Sequence, residues 1–328
     1  MELVNRCQLC DSENIALLKE YTFRYPGAAI QEHLLDIKFE RLWILFERIL
    51  KSRGESKFGA YLCRNCGFIF LNPRFSEEDF AVKYNTIVEL NSVKYREQKS
   101  PPPSNLIDMR VDRIHRLVRP LLNNGSSRPR ILDFGGQSGF ILKPFIGECE
   151  CGVIDYERWE LPEGVAYLGR DFSDLGSNDK FDAVLFLHTL EHVLKPMDMV
   201  RSIGSFLTEG GILYIEVPLG CFREWMRLRD PLTHINFFSE ESLFNCFTAA
   251  GLNVVSLETD FQWVKHGREL CLNIVGRKES PGNNHTVVPL TTRRQMNRVR
   301  YFLNYRNMKR LAVDVVLARH RGVRSVKE

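Results

Sequence analysis

Arg130-Ile-Leu-Asp-Phe-Gly-Gly-Gln-Ser-Gly-Phe140 is a short apolar run that ends in an acid and then breaks into a glycine-rich turn. Ile131 and Leu132 read as a buried parallel strand, and Phe140 to Phe145 as the start of a helix. A strand that turns into a helix on glycines can bring a ligand close to bare backbone. Glycine turns also serve plain packing, so this stretch alone leaves both a nucleoside cofactor and a packing turn open. The dinucleotide fingerprint G-x-G-x-x-G does not fit the spacing.

Two further segments narrow the choice. Phe181-Asp-Ala-Val-Leu-Phe-Leu-His-Thr-Leu-Glu-His-Val193 and Leu207-Thr-Glu-Gly-Gly-Ile-Leu-Tyr-Ile-Glu-Val-Pro218 follow in order. They resemble the fourth strand with its loop, and the turn with the fifth strand, of class I S-adenosylmethionine methyltransferases. The first turn is similar to that family's D-x-G-x-G-x-G motif through Asp133, Gly135 and Gly139, with Gln137 in place of the middle glycine. The resemblance covers about Leu117–Lys278. It implies an α/β fold, a doubly wound seven-stranded Rossmann-like sheet, with S-adenosylmethionine at the strand C-termini.

Strand and helix patterns alternate from Arg130 onward, which independently predicts a doubly wound parallel sheet with its ligand at that edge. The second strand, Glu150–Ile154, ends at Asp155. An acid there suits a vicinal diol, since one carboxylate accepts from both ribose hydroxyls. The resemblance assigns Asp155 that role and implies cofactor contacts at Asp133, Phe134, Gly135, Gly136, Gln137, Gly139, Tyr156, His188 and Glu191. Val165–Leu168 leads to Asp171 and Phe172, which resemble the family's adenine contact. Glu191 suits a sulfonium neighbour and equally suits a loop tie, and His192 suits an active role or a structural hydrogen bond. His234-Ile-Asn-Phe-Phe-Ser239 is similar to the family element that closes over the acceptor, so His234 is the first candidate base, with His192 beside it. Methyl transfer needs little beyond in-line positioning and timely proton removal.

At 328 residues the chain has room for more than one structural unit. Hydrophobic residues make up 44% and charged residues 26%, an ordinary globular balance, and the net charge of +4 is too mild to imply nucleic acid by itself. No apolar run of about 18 residues predicts a transmembrane helix. The N-terminus has acids and cysteines where a secretion signal would be basic and then apolar, and nine cysteines is an odd number. Reduced thiols and a cytoplasmic location are therefore expected.

Cys7-Gln-Leu-Cys10 and Cys63-Arg-Asn-Cys66-Gly67 are two C-x-x-C knuckles. Four thiolates form the tetrahedral set that structural zinc prefers, and no position is left for water; four unrelated buried thiols are the bland alternative. Between them, Leu34–Leu50 has the period of an amphipathic helix, carried by Leu35, Phe39, Leu42, Trp43, Phe46, Ile49 and Leu50. It is expected to pack on the module or on a second subunit, or to form a lid. The C-x-x-C-G, the following Asn-Pro-Arg and Tyr84 resemble a methyltransferase subgroup with an N-terminal zinc module, which includes enzymes of sugar, surface-polysaccharide and natural-product pathways.

Ser76 caps a helix with acids in its first turn, Leu106–Leu122 has helical period, and Ser239 caps a further helix closed by Gly251. Leu252–Leu257 and Glu269–Val275 complete the sheet. The expected organisation is a zinc module at 1–75 with an insertion at about 21–57, a helical acceptor-side region at 76–122, a methyltransferase domain at 123–278, and a basic helical tail at 279–328. Thr291–Val323 interleaves arginines with apolar residues, as in helices that sit on anionic lipid, grip phosphates or dock on their own core.

The leading expectation is transfer of a methyl group to a small-molecule or glycan hydroxyl, on an acceptor that can carry phosphate. Peripheral membrane contact through the tail and oligomerisation stay open. An RNA methyltransferase is the second expectation, weakened by the absence of clustered base-stacking aromatics and of an Asn-Pro-Pro-Tyr-type motif. A non-catalytic scaffold, supported by Gln137 alone, is the third.

Overall fold

The structure is a computed structural model that describes residues 1–26, 37–94, 104–122, 128–220, 225–264 and 267–279. The basic tail and the Leu34–Leu35 start of the insertion helix lie outside these residues. Two sheets organise the chain. The smaller contains β1 (Ile15–Arg24), β2 (Glu55–Cys63), β3 (Ile69–Asn72) and β9 (Asn236–Phe237), in that order and antiparallel throughout. The larger contains β4 (Arg130–Phe134), β5 (Glu150–Ile154), β6 (Val165–Gly169), β7 (Phe181–Leu187), β8 (Leu207–Pro218), β10 (Leu252–Val264) and β11 (Gly267–Lys278).

The order across the large sheet is β10-β11-β8-β7-β4-β5-β6. Strands β4 to β8 run parallel to their neighbours, while β11 lies antiparallel to both β8 and β10. This is the seven-stranded Rossmann-like sheet expected from the sequence. Both central strands read as unbroken apolar runs because both faces are covered. One face buries Ile131, Leu185 and Tyr214 with Ile114 and Val118 of the helix Ser104–Val118. The other buries Leu132, Phe186 and Ile215 with Phe247 of the helix Glu240–Ala249. Numbering helices in chain order, α1 is Ile37–Trp43, α2 Glu77–Lys94, α3 Ser104–Val118, α4 Pro196–Phe206 and α5 Glu240–Ala249.

Cys7, Cys63, Cys66, Phe68 and Phe70 share the second of these cores with Phe238 and the large sheet, so the cysteine module packs directly on the sheet domain. The strand β9 ties it further, since Ile69 pairs with Phe237. Ser76 Oγ accepts from the Asp79 amide at 3.1 Å and the Asp79 carboxylate accepts from the Ser76 amide at 2.9 Å, a reciprocal cap on α2. Ser239 and Ser242 cap α5 in the same manner.

Local geometry differs from the simple periodic reading at two places. Residues Ile44–Leu50 continue α1 as a π-helical turn, and the wider turn buries three consecutive residues, Ile44, Leu45 and Phe46. These pack with Leu42 on the small sheet and on Trp225, Leu232 and Ile235, so the described part of the insertion helix is a packing element. Phe140–Phe145 forms a 3-10 segment rather than the start of a long helix, with Pro144 inside it and extended backbone at Ile146.

Candidate active site

The loops that follow β4, β5, β6 and β7 all leave the same edge of the parallel sheet, where open α/β sheets bind ligands. The turn after β4 is built tightly. Gly135 adopts φ +72, and a Cβ on Gly136 would stand 2.6 Å from Asp133 Cγ, so only a bare backbone fits against that carboxyl. Gln137 also adopts a left-handed conformation, φ +47, which glycine would take without strain.

Asp155 follows β5 and accepts from the amides of Gln137 and Glu157, both at 3.0 Å. One carboxylate thus joins the first turn to the second and keeps lone pairs for further donors. Tyr156 stacks on Tyr84 of α2 with ring centroids 4.7 Å apart. Past β6, Asp171 accepts from the Ser173 amide at 2.7 Å, while Phe172 stacks on Phe134 at 4.6 Å and on Phe206 at 4.9 Å.

Asp133 is buried, and neither of its carboxylate oxygens has a hydrogen-bond partner among the described residues. Burial pushes its pKa up to about 7, against the opposing attraction of Arg110. A buried carboxyl without a donor beside bare glycine backbone fits a ligand that brings its own cationic or hydroxyl donor. The chemistry of this cradle suits the nucleoside cofactor expected from the sequence.

The loop after β7 gathers His188, Glu191 and His192, and the segment before β9 adds His234. His188, at φ +47, is fixed by its amide donating to the Glu216 carbonyl at 2.8 Å. Its Nδ1 lies 3.4 Å from Glu191 Oε1 and its Nε2 3.1 Å from Glu216 Oε1. Burial disfavours its charge, but hydrogen bonding to Cys271, Glu191 and Glu216 outweighs this and raises its pKa well above the usual imidazole range. Glu216 also pairs with Arg110 and, at 3.1 Å, with Arg113, which reaches Asp260 at 3.1 Å. Burial alone would raise the Glu216 carboxyl; Arg110, His188 and Arg113 hold it down to about 2.

His192 Nδ1 hydrogen-bonds the Thr233 carbonyl, and its ring sits 4.9 Å from that of His234. Burial lowers the His192 pKa to about 3, so this imidazole is neutral. Glu191 is 1% exposed; burial would raise its carboxyl, but the contact with His188, the imidazole that keeps its proton, holds it down to about 2. The geometry therefore gathers His188, Glu191, His192 and His234 at one place, apart from Asp171 and Phe172, which belong to the loop after β6.

Several contributors were missed in the sequence. Glu216 was readable as an acid inside an apolar strand, and Arg110 with Arg113 as a one-turn pair on α3. Arg74 lies in the Asn-Pro-Arg segment and Asn236 in the His234–Ser239 element, but neither has a role in the site that could be read from the sequence. Asn236 donates to the carbonyls of Leu190 and Val193, at 3.0 and 2.6 Å, and accepts from Arg74 at 2.9 Å. Arg74 also donates to the carbonyls of Ile235, Val193 and Leu194. Together they fasten the Glu191–His192 loop to the segment carrying His234. Lys83 of α2 is 3% exposed and lies over the rings of Phe80 and Tyr84, at 4.5 and 4.8 Å, and burial lowers its pKa to about 7.

The second candidate site is the cysteine cluster. Cys7 and Cys66 sulfurs are 3.6 Å apart, those of Cys10 and Cys63 3.5 Å, and all four lie within 4.8 Å of one another. Zinc with four sulfur ligands at about 2.3 Å calls for sulfur spacings of roughly 3.8 Å, so the four thiols fit a closed structural site.

Residues 107–257 match the model of a family described as a methyltransferase domain. Solved structures give further likenesses. A 1,6-didemethyltoxoflavin-N1-methyltransferase from Burkholderia thailandensis is 14% identical, with 65% of this chain and 95% of that one covered and a TM-score of 0.48. The N-methyltransferase NodS from Bradyrhizobium japonicum is 17% identical, covering 57% and 96%, with a TM-score of 0.41. A comparison with curated proteins gives no match. The turn after β4 and the strand order agree with this match to a methyltransferase domain over residues 107–257.

Proposed function

We propose that this protein transfers the methyl group of S-adenosylmethionine to a hydroxyl of a small or glycan acceptor, a sugar of a polysaccharide or natural-product pathway being the favoured class. The cofactor supplies an electrophilic methyl on a sulfonium, and the protein's part is to orient it and to handle the acceptor's proton. Asp155 takes the ribose diol, the Gly135–Gly139 turn meets the nucleoside, and Asp133 receives the cofactor's ammonium. The loop after β6, with Asp171, borders the adenine.

The observation that carries the reading is the convergence of His192, His234 and Glu191 at the sheet edge beside the Asp133–Gly139 turn. This cluster has the neutral nitrogen needed to remove a hydroxyl proton. His192, with Nδ1 committed to Thr233, offers Nε2, and His234 stands next to it. The test is transfer of label from methyl-labelled S-adenosylmethionine across a panel of nucleotide sugars and glycans. Labelling of a sugar hydroxyl that falls at least about 100-fold in His192→Ala or His234→Ala supports the reading. Labelling at nitrogen or carbon alone would replace the hydroxyl acceptor.

A further inference from the structure

The Glu191–His192–His234 cluster has an electrostatic feature that proton transfer alone does not explain. A backbone carbonyl only accepts hydrogen bonds, so the contact between His192 Nδ1 and the Thr233 oxygen places the ring proton on Nδ1. The Nε2 lone pair then points away, and Nε2 lies 3.8 Å from Glu191 Oε1. Two electron-rich atoms thus face each other across a gap with no hydrogen between them. Glu191 is buried, and its Oε2 accepts no hydrogen bond among the described residues. His234 brings a second imidazole, and one ligand atom from each of the three residues lies within 4.8 Å of the others.

We propose that Glu191, His192 and His234 bind a divalent first-row transition-metal ion. Two imidazoles and one carboxylate suit zinc, manganese, iron or cobalt better than magnesium or calcium, which prefer an all-oxygen shell. Ligand distances of about 2.0–2.2 Å require the three groups to draw together by roughly 1 Å, within reach of side-chain rotation.

The surroundings hold the ligands as metal sites usually do. The Nδ1–carbonyl bond on His192 fixes the tautomer that leaves Nε2 for a metal. The Thr233 carbonyl is itself held in place, because Asp230 accepts from the Leu232 amide at 2.9 Å and from the Thr233 amide at 2.7 Å. Arg74 and Asn236 fasten the loop bearing Glu191 and His192 from below. Three protein ligands leave positions open, in contrast with the closed set of four cysteines.

Binding of the ion stands on the cluster alone. Its role, which rests on the proposed methyl transfer, is to lower the pKa of a bound acceptor hydroxyl so that its proton passes to solvent water, with His192 and His234 then serving as ligands in place of the base role given above.

The test is a titration of the full chain, purified with zinc in the cysteine site, with cobalt(II) followed by visible absorption. Binding of S-adenosylhomocysteine is measured on the same samples. We expect one further equivalent of cobalt with nitrogen and oxygen ligation and without sulfur-to-metal charge transfer. Affinity for that equivalent should fall at least about tenfold in His234→Ala and in Glu191→Gln. His234 is half-buried on a loop, so its variant is expected to fold even if replacement of buried Glu191 is not tolerated. A wild type that takes up no such equivalent, or a His234→Ala protein that binds it equally well, overturns the proposal. Loss of S-adenosylhomocysteine binding with cobalt uptake intact would instead count against methyl transfer and leave the metal site standing.

Discussion

Gln137 sits where the related motif has its middle glycine, and its left-handed backbone explains how a non-glycine residue occupies that turn. The conformation costs an L-residue about 1–2 kcal/mol, partly offset because glycine loses more entropy on folding. Gln137→Gly is therefore expected to raise the thermal midpoint slightly, by about 1–2 °C, and to leave S-adenosylhomocysteine affinity within about threefold. Asp133 makes a pH-dependent prediction. Its folded pKa of about 7 lies above the ordinary 3.8, so the folded protein holds a proton that the unfolded chain has lost across that window. This group's stabilising contribution is full below about pH 4 and is lost as pH rises through 7. Binding a ligand's ammonium needs the ionised carboxyl, so affinity should climb by up to tenfold per pH unit below about 7 and level off above it. Calorimetry across this range, in buffers of different ionisation enthalpy, should show proton release on binding at low pH. A flat profile would remove Asp133 from the contact. The acid and the glycines could be read from the sequence because a strand-end motif fixes them locally. The unsatisfied state of Asp133 could not, because it depends on what the sheet packs around it.

At the scale of elements, the strand β9 links the cysteine module to the segment that carries His234. It follows His234 by one residue and pairs with β3, which follows the second knuckle. The knuckles were plain in the sequence from their repeated spacing, whereas the pairing joins residues far apart and left no local trace. Cys63→Ser should lower the zinc content measured by atomic emission by one equivalent and broaden or split thermal unfolding. An unchanged single transition with zinc retained would contradict the assignment of those four thiols. Arg74→Met tests the fastening beneath the Glu191–His192 loop. It leaves the Ile235, Val193 and Leu194 carbonyls without their charged donor, at an expected cost of about 2–4 kcal/mol by chemical denaturation. Insertion-helix periodicity was legible, but the π turn that buries Ile44, Leu45 and Phe46 together was not, since it arises from the surface the helix meets.

Across the whole molecule, a charge network joins α3, the loop after β7, β8 and β10 behind the proposed acceptor site. Glu216 at its centre is fully buried among Arg110, Arg113 and His188. Removing that charge strands its cationic partners, so Glu216→Gln should cost about 3 kcal/mol and lower the thermal midpoint by several degrees. The doubly wound seven-stranded sheet was legible because three motifs mark β4, β7 and β8. The network was not, because Arg110 and Arg113 lie more than a hundred residues before Glu216 and meet it only when α3 covers the sheet. The most direct test of the central claim is calorimetric titration of the purified protein with S-adenosylhomocysteine beside Asp155→Ala. Binding with a dissociation constant on the order of micromolar, weakened at least about 30-fold in the variant, is the predicted result. A folded wild type that shows no binding would contradict the account.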